Sequence, residues 1–388
     1  MTGYLTLLGV ALGTTLLTTP LVRLVAIRIG AVVAPDERRV HTRPTATLGG
    51  AAMYLGFLAA MFTASQIDQF NELFDNTSEP LGVVLGATII FFVGLIDDLR
   101  EVSAPAKMAG QVLAGSVLSL FGVTMLYFRV PFADFFSLAP DQAPLITVLW
   151  VIGMANAVNF IDGLDGLAAG VVGIAAVSFT LYSDRLFEEG LLPTNIGPLL
   201  AVIVVGMCAG FLPFNFHPAK IFMGDAGALL LGLLMACSTL LVGGTAADGF
   251  SGQTYFFFAP LVIPFVILGV PIFDTAFAIV RRAKNRASPA TADKDHLHHR
   301  LMRLGHGQRR SVLILWAWTA ILSGLVLYPV YTDTGAAVVP FLAAALVVAL
   351  YTVLHPQVRR TRTAERAVDD DDDQLELPLA EADRASTD

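Results

Sequence analysis

An all-α polytopic membrane protein is the fold class this sequence predicts, and three observations carry it. Hydrophobic residues make up 55% of the 388-residue chain and charged residues only 14%; soluble domains carry roughly 25% charged residues. Apolar runs recur from end to end, many near the roughly 20 residues a helix needs to cross the hydrocarbon layer. Of the 24 lysines and arginines, 22 fall on one side if the runs are threaded through a membrane. A β-barrel would show alternating ten-residue segments, and none is visible.

Eleven segments follow, at 4–27, 48–65, 81–96, 108–127, 144–160, 167–183, 196–213, 226–244, 255–279, 311–330 and 336–354. The first lacks the basic residues that precede a cleaved signal peptide; Arg23 and Arg28 come after it, so it is expected to stay as a membrane helix. The cations then set the orientation, because cytosolic loops collect lysine and arginine. With the N-terminus outside and the C-terminus inside, only Arg129 and Arg185 lie on the outer side. Residues 1–355 form the membrane-embedded unit, placed in the cell membrane with its inner loops in the cytosol. Residues 356–388 read as a disordered cytosolic tail, and its acidic block, Asp369 to Asp373, makes the formal charge of -8 a poor guide to the rest. No internal repeat appears, which weighs against many secondary-transporter folds. Cys208 and Cys237 lie inside apolar runs and suggest neither a disulfide nor a metal site.

Nearly every polar cluster falls in an inner loop. In "DDLREVSAPAK" (97–107), Asp97 and Asp98 end an apolar run side by side. They could be solvated carboxylates at a helix end, but adjacent carboxylates repel, and a hard cation such as Mg²⁺ relieves that while leaving room for phosphates. In "FNFHPAKIFMGDAG" (214–227), Asp225 stands between two glycines before a new apolar run; it reads as a plain helix cap or as a ligand near a helix N-terminus. Phe222 could stack a base or pack in the membrane. In "NAVNFIDGLDGL" (156–167), Asn156, Asn159, Asp162 and Asp165 recur every three residues, with glycines that unwind the helix. That makes either a polar lining or a set of caps at a helix junction. "DHLHHRL" (295–301) holds His296, His298, His299 and Arg300: a zinc site, a solvated basic loop, or a donor set for phosphate and sugar oxygens. Arg43, Lys107, His217 and Lys220 each read alone as positive-inside anchors. Together the loops suit a diphosphate held with Mg²⁺, where catalysis is mostly positioning and charge neutralisation.

In this order the motifs "HTRPTATLGG", "DDLREVSAPAKMAGQ", "NFIDGLDGL", "NFHPAKIFMGDAG" and "DHLHHRL" resemble the polyprenyl-phosphate N-acetylhexosamine-1-phosphate transferase superfamily, over about residues 36 to 310. The resemblance implies an enzyme that joins a cytosolic UDP-amino sugar to a membrane lipid phosphate with Mg²⁺ or Mn²⁺. It assigns catalysis to Asp97 and Asp98 and metal binding to Asp98 and Asp225. The nucleotide side falls on Asn159, Asp162 and Asp165, the uridine pocket on Asn215 and Phe222, and the sugar loop on His296, His298, His299 and Arg300. Arg43 and Lys107 join the substrate-binding set. Leu297 interrupts the histidines, which favours the UDP-GlcNAc branch over the UDP-MurNAc-pentapeptide branch. Composition suggests a high-GC, actinobacterial source and a decaprenyl or undecaprenyl phosphate acceptor. The reaction would release UMP and open a cell-wall or surface-polysaccharide pathway. A homodimer is allowed for, and no nucleic-acid partner is expected. The other classes weighed are an ion-coupled transporter, which would place its acids near the midplane, and a non-catalytic scaffold, which would have no reason to gather them.

Overall fold

A computed structural model describes residues 2–34, 44–129, 135–190, 196–243, 301–302, 306–331 and 338–354. Within them the chain is a helical bundle. Helix α1 is Thr2–Arg28 and α2 is Gly49–Ala64; a 3-10 turn, Asp68–Phe70, leads into the short α3, Asn71–Asn76. Then come α4 Glu79–Leu99, α5 Ala104–Leu120, α6 Ala143–Ile161, α7 Leu167–Glu188, α8 Gly197–Asn215 and α9 Gly224–Gly243. The next described helices are α10 Gln308–Tyr331 and α11 Val338–Leu354. Two small antiparallel pairs sit between helices: β1 Val32–Val33 with β2 Thr45–Ala46, and β3 Tyr127–Arg129 with β4 Phe135–Ser137.

Helix starts follow local chemistry. Proline stands in the first turn of α4, α5, α6 and α8, where its missing N–H costs nothing and its φ is already helical. Seven described helices are long and apolar enough to cross a membrane, or eight if the sharply bent α2 and the 68–76 segment count as one. Ten of the eleven expected segments coincide with a described helix. The fourth was drawn too long: α5 stops at Leu120, where Phe121 leaves the helix and Gly122 turns with φ 94°. Segment 255–279, the tail from 356, Arg43 and the histidine loop lie outside the described residues. The connection at 66–78, expected on the outer side, is more than a polar link, because Phe70 and Leu73 are buried there and Tyr4 meets Phe70 edge to face.

At the centre stands α9, nearly all buried. It is apolar all round, "GDAGALLLGLLMACSTLLVG", as a helix surrounded by others must be. It packs against α4, α6, α8 and α2. Small residues set these distances, as in other membrane bundles. A Cβ at Gly94 of α4 would come 2.5 Å from Ala226 Cα, and one at Gly232 of α9 would come 2.5 Å from Ala155 Cα. Two cross-links add polar specificity: Trp150 Nε1 donates to Thr239 Oγ1 (2.9 Å) and Ser238 Oγ to the Gly197 carbonyl (2.7 Å). The connections between α4 and α5, α6 and α7, and α8 and α9 meet at one end of this bundle; Ser78 Oγ bonded to the Phe121 carbonyl (2.9 Å) marks the other.

Candidate active site

The site is built where α4 ends and α9 begins. Asp97 and Asp98 occupy the last turn of α4 but serve different neighbours. Asp97 Oδ1 accepts the Val102 N–H (2.9 Å), fixing the short link to α5, and its Oδ2 pairs with Lys107 Nζ (2.6 Å). Lys107, in the first turn of α5, also pairs with Asp225. Asp98 turns to α9: its Oδ1 accepts the Asp225 N–H (2.8 Å) and its Oδ2 the Ala226 N–H (3.1 Å). These are amides a helix start leaves without an intrahelical partner, and negative charge is favoured there. Gly224 has φ 70°, and a side chain on it would run into the Asp98 carboxylate. The cap of α9 is therefore Asp98, while Asp225 is freed to face Lys107. The repulsion expected between adjacent carboxylates is relieved within the protein, by an ammonium on one side and helix amides on the other.

A third element brings in α6. Asn159, in its last turn, brings its side chain close to the Asp225 carboxylate. Asp162 follows at the C-cap, where the helix unwinds as the glycines predict. It keeps some accessible surface but is enclosed by protein. Burial, and then the charges of Asp225, Asp98 and Asp165, push its pKa well above the usual carboxylate range. Among the described residues no cation pairs with it. The turn after it is stapled to the 215–221 loop. Asp165, only 7% exposed, accepts from His217 Nδ1 (2.7 Å) and the Ala219 N–H (3.0 Å). Asn215, 2% exposed, accepts the Gly166 N–H (3.0 Å) and donates to the Ile221 carbonyl (3.1 Å). Arg309 Nε and Arg23 Nε hold the same loop through the His217 and Lys220 carbonyls (3.0 and 2.9 Å). On its far side, Phe222 N–H donates to Ala46 and its carbonyl accepts from Gly49 (both 2.9 Å). Phe222 as a residue is half-buried.

A sequence model of glycosyl transferase family 4 matches residues 80–243, which hold all of these acids. A decaprenyl-phosphate N-acetylglucosaminephosphotransferase from Mycolicibacterium smegmatis is 38% identical over 345 residues, covering 87% of this chain and 85% of the relative. The chain belongs to this family. In the polyprenyl-phosphate N-acetylhexosamine-1-phosphate transferase superfamily it sides with the GlcNAc-1-phosphate branch. A protein of Bacillus subtilis named "Probable undecaprenyl-phosphate N-acetylglucosaminyl 1-phosphate transferase" is 39% identical, with 79% of each chain covered. A phospho-N-acetylmuramoyl-pentapeptide-transferase of Staphylococcus saprophyticus is 26% identical, over 77% of this chain and 90% of its own.

In this family member the residues singled out in the sequence divide by what their atoms touch. Asp97, Asp98, Lys107, Asn159, Asp162 and Asp225 come together at the rim. Asp165 and Asn215 lie beside them, but both are buried and engaged with the backbone, so they shape the turn between α6 and α7. His217, read in the sequence as one more cation, is the partner that orients Asp165; a histidine in a Pro-containing turn next to an acidic motif is the signal that could have found it. Arg43, His296, His298, His299 and Arg300 fall outside the described residues. Among those described, no three carboxylates, imidazoles or thiolates converge to enclose a metal ion unaided. The acids still suit Mg²⁺, which commonly takes one or two carboxylates plus phosphate oxygens: Asp162 is enclosed and, among the described residues, without a cation, and Asp225 lies close enough to perturb it.

Proposed function

We propose that the chain transfers GlcNAc-1-phosphate from UDP-GlcNAc to a polyprenyl phosphate, releasing UMP and leaving polyprenyl-diphosphate-GlcNAc. The observation that carries this is the rim cluster in which Lys107 joins Asp97 to Asp225 beside Asp98 and Asp162, at the end of an apolar bundle. Such a placement suits a substrate whose tail stays in the bilayer and whose phosphate meets a water-soluble donor. The acceptor's phosphate oxygen attacks the β-phosphorus of the donor; the bond to the α-phosphate oxygen breaks and UMP carries that oxygen away. Lys107 supplies positive charge to the crowded phosphates. Of the acidic pair, Asp97 is the one that meets the acceptor, because Asp98 is committed to α9. It orients the lipid phosphate and takes its proton if one is present. Asp225 and Asp162 are the carboxylates proposed to hold Mg²⁺ or Mn²⁺, which would draw charge off the diphosphate. The histidine loop, with His296, His298, His299 and Arg300, is assigned to the sugar end of UDP-GlcNAc, and Arg43 and Phe222 to the donor.

The lysine and arginine distribution supports a cytosolic site in the cell membrane, with the N-terminus outside. The identities of 37–39% with GlcNAc-phosphotransferases against 26–32% with MurNAc-pentapeptide transferases support the choice of donor. Purified protein given polyprenyl phosphate, Mg²⁺ and either donor should release UMP from UDP-GlcNAc, and EDTA should stop it. Release from UDP-MurNAc-pentapeptide alone would reject the branch; release unaffected by EDTA would reject the metal.

A further inference from the structure

Gln111 of α5 and Asn156 of α6 face each other as a reciprocal amide pair inside an otherwise apolar helix contact. Asn156 Nδ2 donates to Gln111 Oε1 (2.7 Å), and Gln111 Nε2 returns to Asn156 Oδ1 (3.4 Å). Asn156 Nδ2 also reaches the Ile152 carbonyl of its own helix (2.8 Å). Gln111 is 1% exposed. The chemistry above uses neither residue. Their position does matter to it. Lys107 precedes Gln111 by four residues and Asn159 follows Asn156 by three, spacings that share a helix face. Lys107 pairs with Asp225, and the Asn159 side chain lies close to it. Two helices that each bring a group onto Asp225 are thus tied to one another one turn deeper in the bundle.

Stability alone gives no reason for amides there. Interhelical hydrogen bonds in membrane bundles are weak on average, and replacing both partners of a buried bond by apolar groups of similar shape can be nearly neutral. Geometry does give a reason. A leucine contact tolerates some sliding and rotation, whereas a two-way amide pair closes at one register and one rotation, as a single buried polar pair does in coiled coils.

We propose that Gln111 and Asn156 are a positioning pair: they set the register of α5 against α6 so that Lys107 and Asn159 converge on Asp225. The kinetic consequence rests on the phosphotransferase reading; the structural one does not. The test is the double variant Gln111→Leu/Asn156→Leu beside the exchanged pair Gln111→Asn/Asn156→Gln. Two readouts apply: UMP release, and acylation of Lys107 by a water-soluble amine reagent followed by peptide mass. The leucine pair should insert and melt like wild type, yet lose roughly 10- to 100-fold in kcat with KM for UDP-GlcNAc within about twofold, the scale of an approximately 1 Å misplacement. Its Lys107 should acylate several-fold faster, because the ion pairs loosen. The exchanged pair should recover most of both. A folded leucine pair with wild-type kcat and unchanged Lys107 reactivity overturns the proposal. So does a leucine pair that fails to insert, because the amides would then be a stability element, and so does an exchanged pair that folds but stays as slow as the leucine pair. If wild type releases no UMP from UDP-GlcNAc, the functional reading falls and the acylation rates alone decide the positioning role.

Discussion

Replacing Asp98 by asparagine asks whether one carboxylate decides where α9 begins. Both of its oxygens accept helix amides, at 2.8 and 3.1 Å. The side-chain amide can offer one acceptor oxygen, so its NH₂ must face the other N–H and a bond is replaced by a donor–donor clash. A hydrogen bond to a charged group contributes about 1.5–3 kcal/mol, and a negative charge at a helix N-terminus about 0.3–1 kcal/mol. Asp98→Asn should therefore cost about 2–4 kcal/mol of stability. It should also move Asp225, the first side chain of α9 in the site, and a shift of about 1 Å costs about 100-fold in turnover. Asp97→Asn is the contrast. Its carboxylate is 18% exposed, with an ion pair to Lys107 and one loop amide, so its loss should stop turnover while leaving melting near wild type. Tryptophan fluorescence melts in detergent, run beside UMP release, separate the two. Equal melting of the two variants, or an Asp98→Asn that melts like wild type, would refute the capping role.

Asp162→Asn should raise the melting point of chelator-treated protein at neutral pH while abolishing turnover. The folded-state pKa of Asp162 lies well above its unfolded value, so the wild type loses stability as pH climbs from the ordinary aspartate pKa toward the raised one, and the variant's advantage should widen over that window; a constant difference across pH would count against it. A cysteine placed at Ser288 should react only with permeant reagents in intact cells, and one at Ser78 also with impermeant ones, once Cys208 and Cys237 are replaced; the reverse pattern would invert the topology. Truncation after Thr363 removes the acidic block and no proposed site residue, so UMP release should be unchanged, and a large loss in a normally inserted protein would give the tail a role.

Much of this was legible in the sequence because two signals are strong there. Membrane helices are written as long apolar runs, so α1, α2, α4 and α6 to α11 were located to within a few residues. Loop acids in a greasy chain stand out against a heavy desolvation cost, so Asp97, Asp98, Asp162 and Asp225 were found at once. What could not be read was which partner each acid takes. Asp225 read as a possible helix cap, but the cap comes from Asp98, distant in sequence and brought there by the packing of Gly94 on Ala226. Asp165 and Asn215 carry the same letters as ligands; only folding shows their oxygens turned toward His217 and toward Gly166. The Gln111–Asn156 pair was hidden for the same reason: Gln111 is a lone amide in an apolar run, Asn156 reads as one of four polar residues recurring every three, and nothing local says the two will meet.

The adjacency of Asp97 and Asp98 now has a geometric cause. Consecutive residues on an α-helix point about 100° apart around the axis, so two neighbours on α4 cannot share one partner on one face. They are suited to address two helices at once. Asp97 reaches α5 through Lys107, and Asp98 reaches the start of α9. Lys107 then closes the triangle by returning to Asp225, the second residue of α9. A single aspartate at either position could cap α9 or hold the lysine, but not both. The pair thus fixes three helix ends relative to one another before any substrate arrives, and among the described residues the Asp162 carboxylate is left with neither an ammonium nor helix amides. That division of labour predicts unequal rescue: shifting the pair's second acid to glutamate should harm α9 more than shifting the first, because the cap must reach two amides within one turn while Lys107 can extend to follow Asp97.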